Sequence, residues 1–241
     1  TGSAIGNTVN IGKGTISSGV YGGYVHTSGN ANNNTVNISG GTFNRGVMIY
    51  GGTGGNTASN NTINISGGTF TDSYIYGGNG AIVDNNTINV VGAEANLETA
   101  TIYGYSGGGT SHQNNLLNID GWSGEVKSIQ NFSNINFENT EWKENSTVIE
   151  VNDNSRQSGC LEPETNGGTY VTVSDMLRGD KPFAGQKMTL INDVNIANNG
   201  GKLNNAGKEN EQRFKIGSYL RAKGYVDLSD NSKIDLVLTD V

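Results

Sequence analysis

Cysteine, proline and charge are all scarce in this 241-residue sequence. It contains one Cys, at position 160, two Pro and only 15% charged residues. A single Cys excludes a disulfide bond within the chain. The low charge argues against intrinsic disorder, which usually combines low hydrophobicity with a high net charge.

Further absences exclude whole classes of protein. The net charge is −7, and the 15 Lys and Arg residues form no basic stripe along the sequence, so nucleic acid is not an expected partner. No run of 18 apolar residues predicts a membrane-spanning helix. No signal peptide opens the chain, and position 1 lies among Gly-rich repeats, so we expect a fragment of a longer protein.

Glycine and asparagine are abundant instead, with 37 and 36 residues, and they recur in two repeated phrases. The first phrase is Asn-Thr-Val-Asn-Ile or a close variant, and its copies begin at Asn7, Asn34, Asn61, Asn86 and Asn115. The second phrase resembles Ile-Tyr-Gly-Gly, and its tyrosines are Tyr21, Tyr50, Tyr76 and Tyr103. The Thr residues of the first four copies lie 27, 27 and 25 residues apart. A fixed period of this size is typical of a solenoid.

The pattern within one repeat predicts β-strands. Residues 35–38, Thr-Val-Asn-Ile, alternate polar and β-branched apolar side chains, as strands do. One repeat cannot bury its own apolar face, so we predict one repeat per stacked coil. The interior columns would be Val9, Val36, Ile63, Ile88 and Leu117; Ile11, Ile38, Ile65, Val90 and Ile119; and Ile16, Phe43 and Phe70. The predicted fold is all-β, a single right-handed parallel β-helix with about 27 residues per coil in its N-terminal half.

Two regions are expected within this stack. Residues 1–120 hold the regular coils, and residues 121–241 hold less regular coils with larger apolar side chains. Chain length divided by repeat length predicts roughly nine or ten coils. We expect a short helical turn at residues 174–177. The Asn residues before each first phrase are predicted both to occupy left-handed turns and to stack as a hydrogen-bonded ladder; they are Asn33, Asn60, Asn85 and Asn114.

The phrase Asn-Thr-Val-Asn-Ile-Ser-Gly-Gly-Thr-Phe at 34–43, followed by Ile-Tyr-Gly-Gly at 49–52, resembles the repeats of bacterial autotransporter passengers and related surface adhesins. Residues 184–191, 214–219 and 234–239 are similar to the segment of such proteins that precedes the translocating barrel. The resemblance implies that residues 121–241 form a passenger stem with an autochaperone-like role. It also implies an extracellular location at the bacterial surface and a natural chain that continues into an outer-membrane barrel.

Catalytic chemistry has little support in the sequence. A glycosidase needs two carboxylates a few ångströms apart, and no two acids of residues 1–120 hold matching positions in adjacent repeats. Asp72 and Asp84 are interpreted as turn residues, and Glu162 as one of several surface acids. His26 and His112 have no Cys or His neighbour at metal spacing. We therefore expect no catalytic residue, no metal site and no cofactor.

The tyrosines of the second phrase are the candidate ligand-binding residues. Tyr21, Tyr50, Tyr76 and Tyr103 each follow an inward Val or Ile and should therefore form an outward column. Exposed aromatic rings at coil spacing can stack on sugars or anchor a protein partner. The alternative interpretation is that the rings stack on one another and stiffen the wall of the solenoid.

These observations lead to three hypotheses for the function. The first is a non-enzymatic, surface-exposed adhesin module that binds a receptor or glycan on a host or neighbouring cell, with self-association as a further expectation. The second is a carbohydrate-active enzyme, a lyase or glycosidase, on the same fold. The third is a structural stalk that only spaces another binding region from the membrane.

Overall fold

The computed structural model describes residues 2–106, 109–153, 159–229 and 231–241. In chain order the strands are β1 (Thr8–Ile11), β2 (Thr15–Ile16), β3 (Val20–Tyr24), β4 (Thr35–Phe43), β5 (Met48–Thr53), β6 (Thr62–Phe70), β7 (Tyr74–Asn79), β8 (Thr87–Val91), β9 (Ala95–Asn96), β10 (Thr101–Ser106), β11 (Leu116–Asp120), β12 (Gly124–Val126), β13 (Ser128–Gln130), β14 (Asn134–Glu141), β15 (Thr147–Val151), β16 (Tyr170–Leu177), β17 (Lys187–Asn192), β18 (Gln212–Ile216), β19 (Leu220–Ser229) and β20 (Lys233–Asp240). Short 3₁₀ turns lie at Glu164–Asn166, Asn198–Gly200 and Lys208–Asn210.

The predicted β-solenoid is confirmed, with parallel coils of about 27 residues. Equivalent residues of consecutive repeats pair directly: Val36 lies opposite Val9 and Ile63, and Ile38 lies opposite Ile11 and Ile65. The same register continues through β8 and β11. Because equivalent residues pair directly, each of these coils presents to the next coil the same kind of surface that the previous coil presents to it.

Each regular coil has three sides. The first phrase and the Gly-Gly-Thr-Phe that follows it form the first and second sides, within one 15-stranded sheet. The second phrase forms the third side, a separate parallel sheet in the order β13-β10-β7-β5-β3. We call the outer surface of this third sheet the tyrosine face, defined by Tyr21, Tyr50, Tyr76 and Tyr103.

The three predicted interior columns are present. From the second coil onward their members are 0–1% exposed. Phe43 and Phe70 stack with ring centroids 4.5 Å apart. In the first coil the equivalent residues Val9, Ile11 and Ile16 are only partly buried, because no described coil covers them. Full burial of one such side chain contributes roughly 1.5–3 kcal/mol, so the columns are a main source of stability.

A ladder of asparagine side chains runs inside the solenoid, one residue away from the predicted ladder. It joins Asn7, Asn34, Asn61, Asn86 and Asn115. In the first four, Nδ2 donates to the Oδ1 of the next coil at 2.9–3.1 Å, and the backbone N–H donates to the same oxygen at 2.9–3.0 Å. The Nδ2 of Asn115 donates to the carbonyl oxygens of Val83 and His112. The last four amides are 0–1% exposed. This inner asparagine ladder is therefore a buried polar column whose partners are all supplied by the repeat itself.

The preceding asparagines were predicted correctly as turn residues. Of the ladder predicted for them, the described residues show one hydrogen bond, from Asn114 Nδ2 to Asn85 Oδ1 at 3.3 Å. Asn33, Asn60, Asn85 and Asn114 all have φ of 57–58°, in the left-handed region that Asn tolerates better than most residues. The inner ladder lies one residue later because side chains alternate between the two faces of a strand. Val36 points inward, so Asn34, two residues earlier, also points inward, whereas Asn33 points away.

The glycines of the second phrase make room for the inner asparagine ladder. A Cβ at Gly51 would lie 2.5 Å from the carbonyl oxygen of Gly77 and 2.8 Å from Cβ of Asn61. A Cβ at Gly52 would lie 2.6 Å from Nδ2 of Asn61. The two repeated phrases therefore pack together as one unit. The Asn side chain of the first phrase fills the space that the two glycines of the second leave open.

The prediction of nine or ten coils is wrong, because the solenoid has about five turns. Strands β18, β19, β20 and β17 pair in antiparallel fashion in that order and close the C-terminal end as a cap. The helical turn expected at 174–177 is also wrong, since these residues lie in β16. An alternating pattern has the same period in parallel and antiparallel strands, so it could not reveal that the coiling stops.

Asp235 is a buried carboxylate within this cap. It accepts hydrogen bonds from Lys187 Nζ at 2.9 Å, Thr189 Oγ1 at 2.7 Å and Ser229 Oγ at 2.9 Å. Burial by itself would raise the pKa of Asp235, but these hydrogen bonds lower it below its ordinary value. The carboxylate therefore ties β17, β20 and the end of β19 together while it stays ionised.

Replacing Asn61 with Ala should destabilise the protein by about 3 kcal/mol or more, because two buried donors of Asn34 would lose their acceptor. The matched control is Asn64→Ala, in the same strand. Asn64 belongs to an outer ladder with Asn37 and Asn89 and is only half-buried. Its replacement should lower the free energy of unfolding by less than about 1 kcal/mol. Urea unfolding of both variants measures the difference. Equal losses would contradict a special role for the inner ladder.

Candidate binding face

The tyrosine face is built by strand alternation. Val20, Ile49, Ile75 and Ile102 point inward and are 0–8% exposed. The tyrosine that follows each of them points outward and pairs in register with its equivalents in adjacent coils. The predicted column is therefore present.

The four rings of the column stack on one another. Ring centroids are 5.5 Å apart between Tyr21 and Tyr50, 4.8 Å between Tyr50 and Tyr76, and 4.9 Å between Tyr76 and Tyr103. Interplanar angles are 6–11°. These distances match the coil spacing of a parallel sheet, so the ring faces inside the column are occupied by neighbouring rings.

Burial changes the acidity of the central rings. Tyr50 is 8% exposed, whereas Tyr21 at the end of the column is 38% exposed. Burial raises the pKa of Tyr50, and the nearby phenol of Tyr21 adds to this. Burial likewise raises the pKa of Tyr76, with smaller effects from Tyr50 and Tyr103. The phenols of Tyr50 and Tyr76 therefore resist ionisation.

Other side chains extend the face at its first coils. Tyr24 is 53% exposed and meets Tyr21 edge-on at 5.1 Å. His26 lies 6.4 Å from the Tyr24 ring, and Met48 is 43% exposed. The N-terminal end of the tyrosine face is therefore more exposed than the partly buried Tyr76 and Tyr103, and there Tyr21 and Tyr24 expose ring surface that a ligand could cover.

A polar cluster missed by the sequence interpretation lies where the regular coils meet the later ones. Glu162, expected on the surface, is only 3% exposed and accepts a hydrogen bond from Asn166 Nδ2 at 3.0 Å. The His112 ring stacks on Tyr105 at 4.2 Å. Burial raises the pKa of Glu162, while Asn166, His112 and Tyr105 act in the opposite direction. No repeat marks this cluster, because Tyr105 takes the position that glycine holds in the preceding coil.

Acidic residues do come into register beyond the regular repeats. Glu138 pairs with Asp120 on one side and with Asp175 on the other, so three acids follow one another on adjacent strands. Asp120 accepts a hydrogen bond from Asn139 at 2.7 Å. Asp175 accepts one from the backbone N–H of Lys215 at 3.2 Å. We call Asp120, Glu138 and Asp175 the acidic row.

The described ranges contain no group of three or more His, Cys, Asp or Glu side chains arranged to hold a metal ion. In the same part of the chain, no helix has the length and apolar character needed to cross a bilayer. Comparison with protein-family models, curated proteins and solved structures finds no match. The case for a function therefore depends on the residues of this chain.

Replacing Tyr76 with Phe should reduce the alkaline loss of stability. The ordinary pKa of tyrosine is about 10, and the folded protein raises that of Tyr76. This contribution is fully present below the unfolded-state pKa and is lost as the pH rises toward the folded-state pKa. The wild-type urea midpoint should fall more steeply from about pH 9 to about pH 11 than that of Tyr76→Phe. Tyr219→Phe, at a side chain 96% exposed, is the control, and equal slopes for wild type and Tyr76→Phe would contradict the prediction.

Proposed function

We propose that this chain is a non-enzymatic, surface-exposed adhesin module of a secreted bacterial protein, which binds a receptor or glycan through the tyrosine face. The observation that carries the proposal is the in-register tyrosine column, with Tyr21 and Tyr24 exposed at its end. An autotransporter-type chain at the bacterial surface, anchored through an outer-membrane barrel, is part of the same proposal and derives from the repeat resemblance alone.

The stacked column supports binding through pre-organisation. Its rings already pack on one another, so a ligand that covers the exposed ends or edges orders few additional side chains. Aromatic side chains provide a large contact area with little loss of rotamer freedom. Repeated weak contacts along one axis would add through avidity. Stacking and binding are therefore compatible, with the inner rings supporting the exposed ones.

A carbohydrate-active enzyme is the second candidate, because the acidic row places Asp120, Glu138 and Asp175 on adjacent strands. Retaining glycosidases need two carboxylates about 5–5.5 Å apart, close to the spacing of neighbouring strands. Release of reducing ends from a polysaccharide, abolished by Glu138→Gln, would favour this candidate over the adhesin.

A structural stalk is the third candidate. The inner asparagine ladder and the stacked rings would stiffen a spacer without contacting any partner. The stalk predicts that exposed tyrosines can be changed without loss of adhesion, which separates it from the adhesin in the experiment below.

Replacing Tyr21 and Tyr24 together with Ser should weaken adhesion of the purified chain to cells or to an immobilised glycan at least about tenfold. Both side chains are exposed, so the melting temperature should change little. The measurements are binding to a cell panel and a glycan array, combined with thermal unfolding.

The matched control is Tyr170→Ser with Tyr219→Ser, which removes two tyrosines that are 50% and 96% exposed elsewhere. This control should adhere like the wild type. If the Tyr21 and Tyr24 variant adheres normally, the tyrosine face is not the binding face and the stalk is favoured.

A further inference from the structure

Four cations share the outer surface of the β18–β19 hairpin. Arg213 lies opposite Lys223, and Lys215 lies opposite Arg221, across the antiparallel pair. Between them Phe214 and Ala222 point inward and are 3–4% exposed. Strand alternation therefore directs all four cations to the same outer side. We call Arg213, Lys215, Arg221 and Lys223 the basic patch.

The basic patch is unusual because like charges directly opposite each other destabilise a sheet. The protein as a whole is acidic, with 22 acids against 15 Lys and Arg, yet four of those 15 meet here. Among the described residues, no carboxylate forms an ion pair with Arg213, Lys215 or Arg221. Lys223 Nζ lies 3.5 Å from the exposed Asp240. Asp175 lies opposite Lys215 in the parallel β16–β18 pair. Two carboxylates thus adjoin the four cations, and the patch keeps a net positive charge.

The surface at the basic patch is concave. A depression of about 370 Å³ is lined by all four cations and by Ser174, Asp175 and Asp240. Neighbouring strands lie about 5 Å apart, and alternate residues of one strand lie roughly 7 Å apart. Two acidic groups a few ångströms apart on one ligand could therefore each contact two cations. The two arginines can present paired N–H donors to sulfate oxygens.

We propose that the basic patch binds a sulfated polysaccharide chain. Sulfate groups would compensate the opposed cations, while Ser174, Asp175 and Asp240 can hydrogen-bond the sugar hydroxyls. A nucleic acid fits less well, because single-stranded binding sites use exposed aromatic rings for stacking, and the aromatic lining residue, Phe214, is buried. A flat anionic membrane also fits less well, because the cations surround a depression. The site lies on the C-terminal cap and is independent of the tyrosine face.

The test compares wild type with the double variant Lys215→Gln, Arg221→Gln, which removes one opposed pair. Fluorescently labelled heparin serves as the probe, and affinity is measured by anisotropy over a series of salt concentrations. The variant should bind at least about tenfold more weakly, with a shallower dependence on salt because fewer counterions are exchanged. Without heparin its melting temperature should equal or exceed that of the wild type. Heparin should raise the melting temperature of the wild type only.

The matched control is Lys13→Gln with Arg45→Gln, which removes the same charge from the first coils and should leave heparin affinity unchanged. Equal weakening in both double variants would assign binding to overall charge and overturn the proposal. Undiminished binding by Lys215→Gln, Arg221→Gln would do the same. The proposal would also be overturned if a DNA oligonucleotide or phosphatidylglycerol vesicles displaced heparin as effectively as dextran sulfate does. Neutral dextran is the negative control. The readout is direct binding, so it does not depend on whether the tyrosine face mediates adhesion.

Discussion

The amide ladder inside the coils is the interaction on which the rest of the regular structure depends. A buried amide without partners costs several kcal/mol, so Asn61 is tolerated only when Asn34 and Asn86 stand at the correct height and register. Each coil thereby requires an equivalent neighbour. The aliphatic columns provide most of the stabilisation, but they would tolerate small shifts, whereas the ladder does not. The register between adjacent coils is therefore fixed by the buried amide side chains.

The glycines and tyrosines of the second phrase follow from the same requirement. Because the ladder fills the interior beside the third side of each coil, Gly51 and Gly52 leave it space, and the preceding Tyr50 can only point outward. Once the coils are locked in register, the tyrosines fall at the spacing of parallel strands and their rings stack. The surface that we assign to binding is in this sense a product of interior packing.

The sequence was sufficient for the regular coils and insufficient for their closure. Equal positions of Ile38 and Ile65 in consecutive repeats predicted their pairing, because repeats that share a core must share a register. The inner ladder was misassigned by one residue although the signal was present, since Val36 points inward and Asn34 lies two residues before it. The antiparallel cap could not be predicted, because alternation in β18, β19 and β20 does not identify their partners. Without those partners, the opposed cations of the basic patch cannot be seen. The acidic row was missed for another reason, because it extends into the later coils, where no fixed repeat period gives the register of β14 and β16. The tyrosine column was predicted because it needs only the repeat period.

The identity of the coil-to-coil surfaces has a consequence for how such a protein can change in length. An internal duplication of about 27 residues would meet compatible neighbours above and below if it copied the second or third coil, since these two coils present the same ladder, glycine pair and columns. Each added coil would lengthen the rod by about 4.8 Å without a new interface having to evolve. The antiparallel cap would be unaffected, because it contacts only the last coils. The number of regular coils can thus vary while the antiparallel cap stays the same.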